Sequence, residues 1–268
     1  MGNKFYVPGQ RRAAQVNDLF SAIASRYDLI NDLQSFGLHR HWKRLLFRLA
    51  RVQPQDRVLD LCCGTGDVAL GLTPSGATIV GLDFSASMLA VGQQRCLRMQ
   101  SLRQPGGVRG SSTTTGQASR PGSDVRNLPS VLFLQGDALK IPFIDSQFDV
   151  VTISYGLRNL ADLEAGLREM QRVAKPGGRV LVLDFGKPEN RVWRACYFAY
   201  LRWLVPWFGR LFCGDSATYA YIRESLEQYP AQEGVAATMR DLKFGNVQIV
   251  NLLGGMMSIH CGRASLHS

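Results

Sequence analysis

The 268-residue chain is short of acid: 21 Asp and Glu stand against 31 Lys and Arg, a formal charge of +10. It has no run of 18 apolar residues, which excludes a helix spanning a bilayer. Its six cysteines form no CxxC pair, so neither a zinc ribbon nor a disulfide scaffold is expected, and no metal site is assigned. Cys62 and Cys63 stand together in an apolar run, as reduced, buried thiols of an intracellular protein would. Residues 1–12 are polar and basic with no apolar stretch, so no secretory signal is expected. No internal repeat is visible. With 46% hydrophobic and 19% charged residues, the composition is that of a globular domain rather than a disordered or collagenous chain.

The positive charge is uneven. Residues 1–52 carry nine Lys or Arg against three acids, and residues 95–130 six against one. Such surfaces suit nucleic acid, an anionic membrane or an anionic substrate, and sign alone does not choose.

No proline interrupts residues 9–52, which read as helices and form an N-terminal, substrate-side cap over 1–52. Residues 53–268 form the main domain. Buried strands are expected at 57–63, 77–83, 131–135, 148–154 and 179–185, with helices from Asp67, over 85–100 and over 161–174, the last stopped by Lys175-Pro-Gly-Gly178. Further helix runs to about 242, and closing strands fall near 247–251 and 256–262. This alternation predicts an α/β fold with a mainly parallel sheet. Residues 101–130 stand apart: Ser, Thr, Gly and Pro fill 17 of 30 positions, the composition of a flexible insertion. Residues 191–213 are an aromatic helical segment. Eight of the chain's 25 aromatic residues fall in 22 positions there, among Arg194, Arg202 and Pro206. That pattern fits a cover for a prenyl tail, a bilayer-interface helix, or plain core packing.

Asp60-Leu-Cys-Cys-Gly64-Thr-Gly66-Asp67 lies where the first strand meets the first helix. Glycine there lets backbone approach a ligand, and the helix start offers free N–H groups. Gly64 to Ala69 satisfies the dinucleotide pattern GxGxxA, with Asp83 at nearly the expected distance. Against a dinucleotide stands Asp67, whose carboxylate opens the helix and repels phosphate but not the amino group of a methionine moiety. Asp83, with Phe84 beside it, can accept ribose hydroxyls. Asp137, with Ala138, can meet an adenine amino group. S-adenosylmethionine (SAM) is therefore the expected cofactor, held by Asp60, Gly64, Gly66, Asp83, Phe84, Asp137 and Ala138.

A wider set of motifs goes further: Tyr27-Asp-Leu-Ile-Asn31-Asp32, Ser35-Phe-Gly37-Leu-His39-Arg40-His-Trp42-Lys43, Tyr155-Gly-Leu-Arg158-Asn159, Arg172-Val-Ala-Lys-Pro-Gly-Gly178 and Leu183-Asp-Phe-Gly-Lys-Pro188. With them the chain, from about Val16 to Gly262, resembles the ubiquinone/menaquinone biosynthesis C-methyltransferases. Its Leu-Cys-Cys-Gly loop and Leu-Asp-Phe strand end look like the cyanobacterial and plastid branch, which methylates 2-phytyl-1,4-naphthoquinone on the way to phylloquinone. The resemblance implies a class I, Rossmann-like sheet of seven strands, mainly parallel with an antiparallel last strand and helices on both faces. It implies C-methylation of a lipophilic quinol presented from a membrane surface, by a peripheral cytoplasmic protein, or a chloroplast one if the source is eukaryotic. A homodimer is a further candidate partner, and no nucleic acid is expected because no RNA-binding module is visible. The alternatives are a benzoquinol branch enzyme, an RNA or small-molecule methyltransferase, and a non-catalytic SAM-binding subunit.

The resemblance also implies SAM contacts at Thr65 and Ser154. Arg158 and Asn159 follow the fourth strand, and the resemblance points to them too. Arg158 facing the cofactor crevice is expected to stabilise phenolate at the quinol, with Asn159 holding either the arginine or the second oxygen. Tyr27, His39 and His260 are the weaker candidates for contact with the acceptor.

Overall fold

The computed structural model describes residues 31–32, 35–103, 131–204, 225–226 and 229–265. Tyr27 and most of the 101–130 segment, with 205–213 of the aromatic segment, lie outside them.

Strand β1 (Arg57–Leu61) is buried at every position after Arg57 because both its faces are covered; Val58 and Leu59 have no exposed surface. It pairs in parallel with β2 (Thr78–Asp83) on one side and β4 (Phe148–Ser154) on the other. Strand β3 (Val131–Gln135) extends the first edge, and β5 (Ala174–Phe185) continues the second. Strand β7 (Met257–Arg263) runs antiparallel to β5, and β6 (Gly245–Leu252) antiparallel to β7. The order is β3-β2-β1-β4-β5-β7-β6, with β7 alone reversed. Strand order turns back between β1 and β4, so a crevice opens at their carboxyl ends.

One face of the sheet is covered by α1 (Leu38–Ala50), α2 (Asp67–Gly71) and α3 (Ala86–Arg103). The other is covered by α4 (Leu163–Val173), α5 (Arg191–Ala199) and α6 (Ala231–Asp241). Helix α1 buries His39, Trp42, Lys43, Leu46 and Ala50, a stripe at helical spacing, and shares one core with β1, β2 and β5. Asp162 caps α4 by accepting the Ala165 N–H at 3.0 Å, and Asn190 caps α5 through Val192 and Trp193. Beyond α5 the chain continues as a π-helical turn, Tyr200–Leu204. Among the described residues no helix is long and apolar enough to cross a membrane.

Strand β5 begins earlier than its sequence suggests. Ala174 already pairs with Phe148, the register jumps across Pro-Gly-Gly, and pairing resumes at Arg179 opposite Val150. The glycines make a bulge inside the strand rather than a stop before it.

Candidate active site

At the switch point the chain leaves β1 through Cys62, at φ 50°, and turns over Gly64 and Gly66 into α2. Gly66 cannot be replaced simply: its φ is 81°, and a Cβ would lie 2.7 Å from the Phe133 ring. The loop is tied down from behind. Asp60 accepts the Thr152 hydroxyl at 2.7 Å and the Ala69 N–H at 3.2 Å. Burial pushes its carboxyl up to about 7 against those two hydrogen bonds.

In front of the loop, a cavity is walled by the carboxyl ends of β1, β2 and β4. Cys62 and Gly64 come from the loop; Asp83 ends β2, and Phe84 and Ser85 follow it. Asp137 and Ala138 come after β3, and Ser154 ends β4 ahead of Tyr155 and Asn159. Asp83 Oδ2 accepts the Gly64 N–H and Oδ1 the Ser85 N–H, both at 2.8 Å, with the Phe84 N–H also close to the carboxylate. The remaining carboxylate lone pairs are open to ribose hydroxyls. Burial raises the Asp83 carboxyl, and the Ser85 and Gly64 N–H groups oppose that. Asp137 steadies its own turn by accepting the Leu139 N–H at 2.9 Å. The Ser154 Oγ, buried on the cavity wall, has no hydrogen-bond partner among the described residues.

Two acids and no Lys or Arg line this cavity among the described residues. A pyrophosphate finds no cation there, whereas a sulfonium cation with a ribose finds carboxylates. SAM fits, with Asp83 for the ribose, Asp137 and Ala138 for the base, and the Gly64 and Ser154 edge for the remainder. This charge balance separates SAM from a dinucleotide, and it does so without Asp67. The sequence alone places Asp67 against the methionine moiety. In the structure it turns the other way, to Lys43 Nζ at 2.6 Å and Arg95 Nη2 at 2.5 Å. Burial opposes the ionised Asp67, but the two cations outweigh it and hold the carboxyl at about 2.

Three further residues expected at the cofactor do not line the cavity. Asp60 and Gly66 are buried behind the loop for the reasons given. Thr65 faces α3, where Arg95 Nη1 donates to its Oγ1 at 3.0 Å. They shape the loop without lining the cavity.

Arg158 turns away from the crevice to which the sequence assigns it. Its guanidinium does not line the cavity. It is buried, donates to Asp184 Oδ1 at 2.7 Å and to the Tyr155 carbonyl at 3.0 Å, and lies 4.4 Å over the Phe185 ring. The Asp184 carboxylate, itself fully buried, captures it from the neighbouring strand. Asn159 does line the cavity, and its Nδ2 donates to the same Tyr155 carbonyl at 3.2 Å. Tyr155, at φ 59°, packs between the Lys43 ammonium at 5.9 Å and the Phe185 ring at 6.0 Å.

Neither histidine reaches the cofactor cavity. His39 is buried on α1, with Nδ1 2.9 Å from Ser35 Oγ, beside a separate basic cleft lined by Arg40, Lys43, Arg44 and Arg95. Burial and the Lys43 charge lower its basicity. His260 is fully buried on β7, its Nε2 2.8 Å from the Gln232 carbonyl oxygen, and burial lowers its basicity too. Sequence reasoning missed Asp184, although a lone acid in Val180-Leu-Val-Leu-Asp-Phe185 is a signal for a buried partner. It also missed Met88 and Leu160, whose roles depend on which helix face turns to the cavity.

The model of the ubiE/COQ5 methyltransferase family matches residues 9–105 and 116–264. The chain is 39% identical over 260 residues to a protein of Pseudomonas syringae named ubiquinone/menaquinone biosynthesis C-methyltransferase, covering 96% of this chain and 91% of that one. A protein of the same name from Ectopseudomonas mendocina is 41% identical over 263 residues, with the same coverage. Among solved structures, a SAM-dependent methyltransferase from Aquifex aeolicus superposes with a TM-score of 0.53 at 15% identity, covering 82% of this chain and 88% of that one. One from Thermotoga maritima, described as a possible histamine N-methyltransferase, gives 0.56 at 16%, covering 92% and 100%. These two share the fold. Sheet order, a cavity suited to a sulfonium nucleoside and a match over nearly the whole chain agree: the chain belongs to the ubiE/COQ5 family and is a SAM-dependent methyltransferase.

Proposed function

We propose that this enzyme methylates a ring carbon of a demethylated prenyl- or phytyl-naphthoquinol, working as a peripheral protein at a membrane surface. The observation that carries the reading is a SAM-type cavity whose open wall, Tyr155 to Asn159, is built from motif residues in a chain of this family. SAM supplies an electrophilic methyl group on a sulfonium sulfur. With SAM bound, the ring carbon–methyl bond would form as the sulfur–methyl bond breaks, leaving S-adenosylhomocysteine, and the ring carbon's proton would pass to solvent. The protein's part is alignment and exclusion of water. Asp83 fixes the nucleoside, Tyr155 and Asn159 form the wall against which the acceptor lies, and the Arg158–Asp184 pair holds that wall in place through the Tyr155 carbonyl. Arg158 is thus a positioning residue.

The naphthoquinol branch draws support from the Leu-Cys-Cys-Gly loop and the Leu183-Asp-Phe185 strand end. The relatives' names cover both ubiquinone and menaquinone, which keeps a benzoquinol as the second reading. A membrane surface draws support from Phe36 and Trp203, each about 70% exposed, the second with Arg202 beside its ring. Transfer of labelled methyl from SAM to a panel of demethylated naphthoquinols and benzoquinols, with an RNA control, tests the proposal. Turnover confined to benzoquinols or RNA would overturn it.

A further inference from the structure

The two basic segments of the sequence meet in one place. Helix α1 supplies Arg40, Lys43 and Arg44, and α3 supplies Arg95, to a cleft whose carboxylates among the described residues are Asp32 and Asp67. Four cations face two acids, a formal excess of two. The cofactor cavity has the opposite balance, so the two openings suit ligands of opposite charge.

The pairing inside the cleft locates the excess. Asp32 engages Arg40, and Asp67 is shared between Lys43 and Arg95. Arg44 meets no carboxylate among the described residues; its exposed side chain donates from Nε to the Arg40 carbonyl at a long 3.4 Å. Lys43, with a side chain only 10% exposed, uses one of its three N–H groups on Asp67 at 2.6 Å and donates to no other described residue. A shielded ammonium with donors in hand, beside a guanidinium that lacks an acid, is a donor set for a tetrahedral oxyanion. The planar arginine fork takes two oxygens and the ammonium a third.

The neighbours of the cleft indicate what carries that anion. Phe36 and Leu38 are exposed, and the turn that bears them is tied to the cleft by the Gly37 N–H, which donates to the Asp32 carbonyl at 2.8 Å. On the inner side the Lys43 ammonium lies 5.9 Å from the centre of the Tyr155 ring, in the wall assigned to the acceptor. Exposed apolar side chains thus adjoin one end of the basic cluster and the acceptor wall the other. A soluble phosphate makes no use of either neighbour, whereas a phosphate anchored in a bilayer makes use of both. We propose that the cleft between α1 and α3 binds the phosphate of an anionic phospholipid headgroup and so seats the acceptor wall against the bilayer. The inference rests on the membrane-surface part of the reading above and names the group held there.

Arg44→Gln and Arg48→Gln give the test. Each removes one positive charge from an exposed position of α1, one turn apart, but only Arg44 lines the cleft. Neither arginine forms an ion pair among the described residues, so both variants should keep the wild-type Tm. Co-sedimentation uses vesicles of phosphatidylcholine alone and of phosphatidylcholine mixed with phosphatidylglycerol. Arg44→Gln should bind the mixed vesicles roughly fivefold more weakly than the wild type, the share of one cation at an anionic surface, and Arg48→Gln should lose far less. Binding to phosphatidylcholine alone should be the same in all three proteins. Equal losses in the two variants would mean diffuse attraction rather than a site, and would overturn this inference alone. So would inorganic phosphate that raises the Tm of the wild type but not of Arg44→Gln while both bind mixed vesicles equally, because the cleft would then take a soluble anion. A wild type that binds neither kind of vesicle, whether or not it binds phosphate or RNA, overturns the inference together with the membrane reading.

Discussion

Arg158 Nη1 lies 2.7 Å from Asp184 Oδ1, and both side chains are almost wholly shielded from solvent, at 6% and 0% exposure. The partners are not equally committed. Asp184 also accepts the backbone N–H of Arg158 at 3.1 Å and of Phe185 at 2.8 Å. Asp184→Ala strands a buried guanidinium together with two backbone donors and is expected to cost about 3–5 kcal/mol. Arg158→Met leaves a carboxylate that still has its two N–H donors, and should cost distinctly less. Urea unfolding at neutral pH ranks the two, and equal or reversed losses would show that the pair is not organised as described.

The cofactor end turns on Asp83. Asp83→Ala removes a nearly buried acceptor for the ribose and also releases the Gly64 and Ser85 N–H groups. Loss of such contacts, each worth on the order of 1–3 kcal/mol, weakens SAM binding roughly 10- to 100-fold by calorimetry. Because burial raises the Asp83 carboxyl, SAM affinity should begin to fall with acidification at a higher pH than for an ordinary carboxylate. Unaltered affinity in Asp83→Ala would move the ribose elsewhere.

Asp67 makes a prediction of opposite sign. Its folded-state value of about 2 lies below the ordinary 3.8, so its contribution to stability is present above 3.8 and is lost as pH falls through 2. A shift of that size corresponds to about 2 kcal/mol. The wild type should exceed Asp67→Asn by roughly this amount at pH 6, and the gap should close on acidification over that window, followed by denaturant unfolding at each pH. A gap independent of pH would mean that packing, not charge, ties α1 to the glycine loop through Lys43 and Arg95.

These three residues also show how far the sequence carries. The strands were legible because each is a short apolar run between turn signals, and Asp83 because a carboxylate at the end of β2 has one obvious use in a nucleotide fold. Asp67 and Arg158 were legible as chemistry but not as direction. A one-dimensional reading places both at the crevice, and what turns them away is a partner distant in sequence: Lys43, 24 positions before Asp67, and Asp184, 26 after Arg158. Pairing of that range is decided by sheet order and helix docking, which local spacing does not encode. The β5 bulge has the same origin, since Pro-Gly-Gly reads as a stop until β4 supplies the partner for Ala174.

The family match breaks only between residues 105 and 116, inside the Ser/Gly-rich stretch. Deleting 106–115 should therefore leave the Tm and SAM affinity close to wild type, because a shorter loop changes closure entropy by only a fraction of a kcal/mol, about 0.6 per doubling of length. A collapse of either would show that these ten residues pack against the domain.

Phe36 is 70% exposed and Trp203 71%, and the two belong together: the Phe36 ring lies 6.4 Å from that of Tyr200, one turn before Trp203. The Arg202 guanidinium sits 5.4 Å from the Trp203 ring. An aromatic ring beside a cation is suited to the headgroup boundary, where the ring leaves water and the cation meets phosphate. Removing one large side chain from such a contact forfeits about 1.5–3 kcal/mol of burial. Trp203→Ala should therefore partition onto anionic phospholipid vesicles at least tenfold more weakly than the wild type in co-sedimentation, and Phe36→Ala similarly. Turnover of a detergent-dispersed short-chain quinol should be nearly unchanged, since neither side chain lines the cofactor cavity. Arg202→Ala should lose binding chiefly at low salt, as its share is electrostatic. Equal sedimentation of all four proteins would show that this patch does not meet lipid.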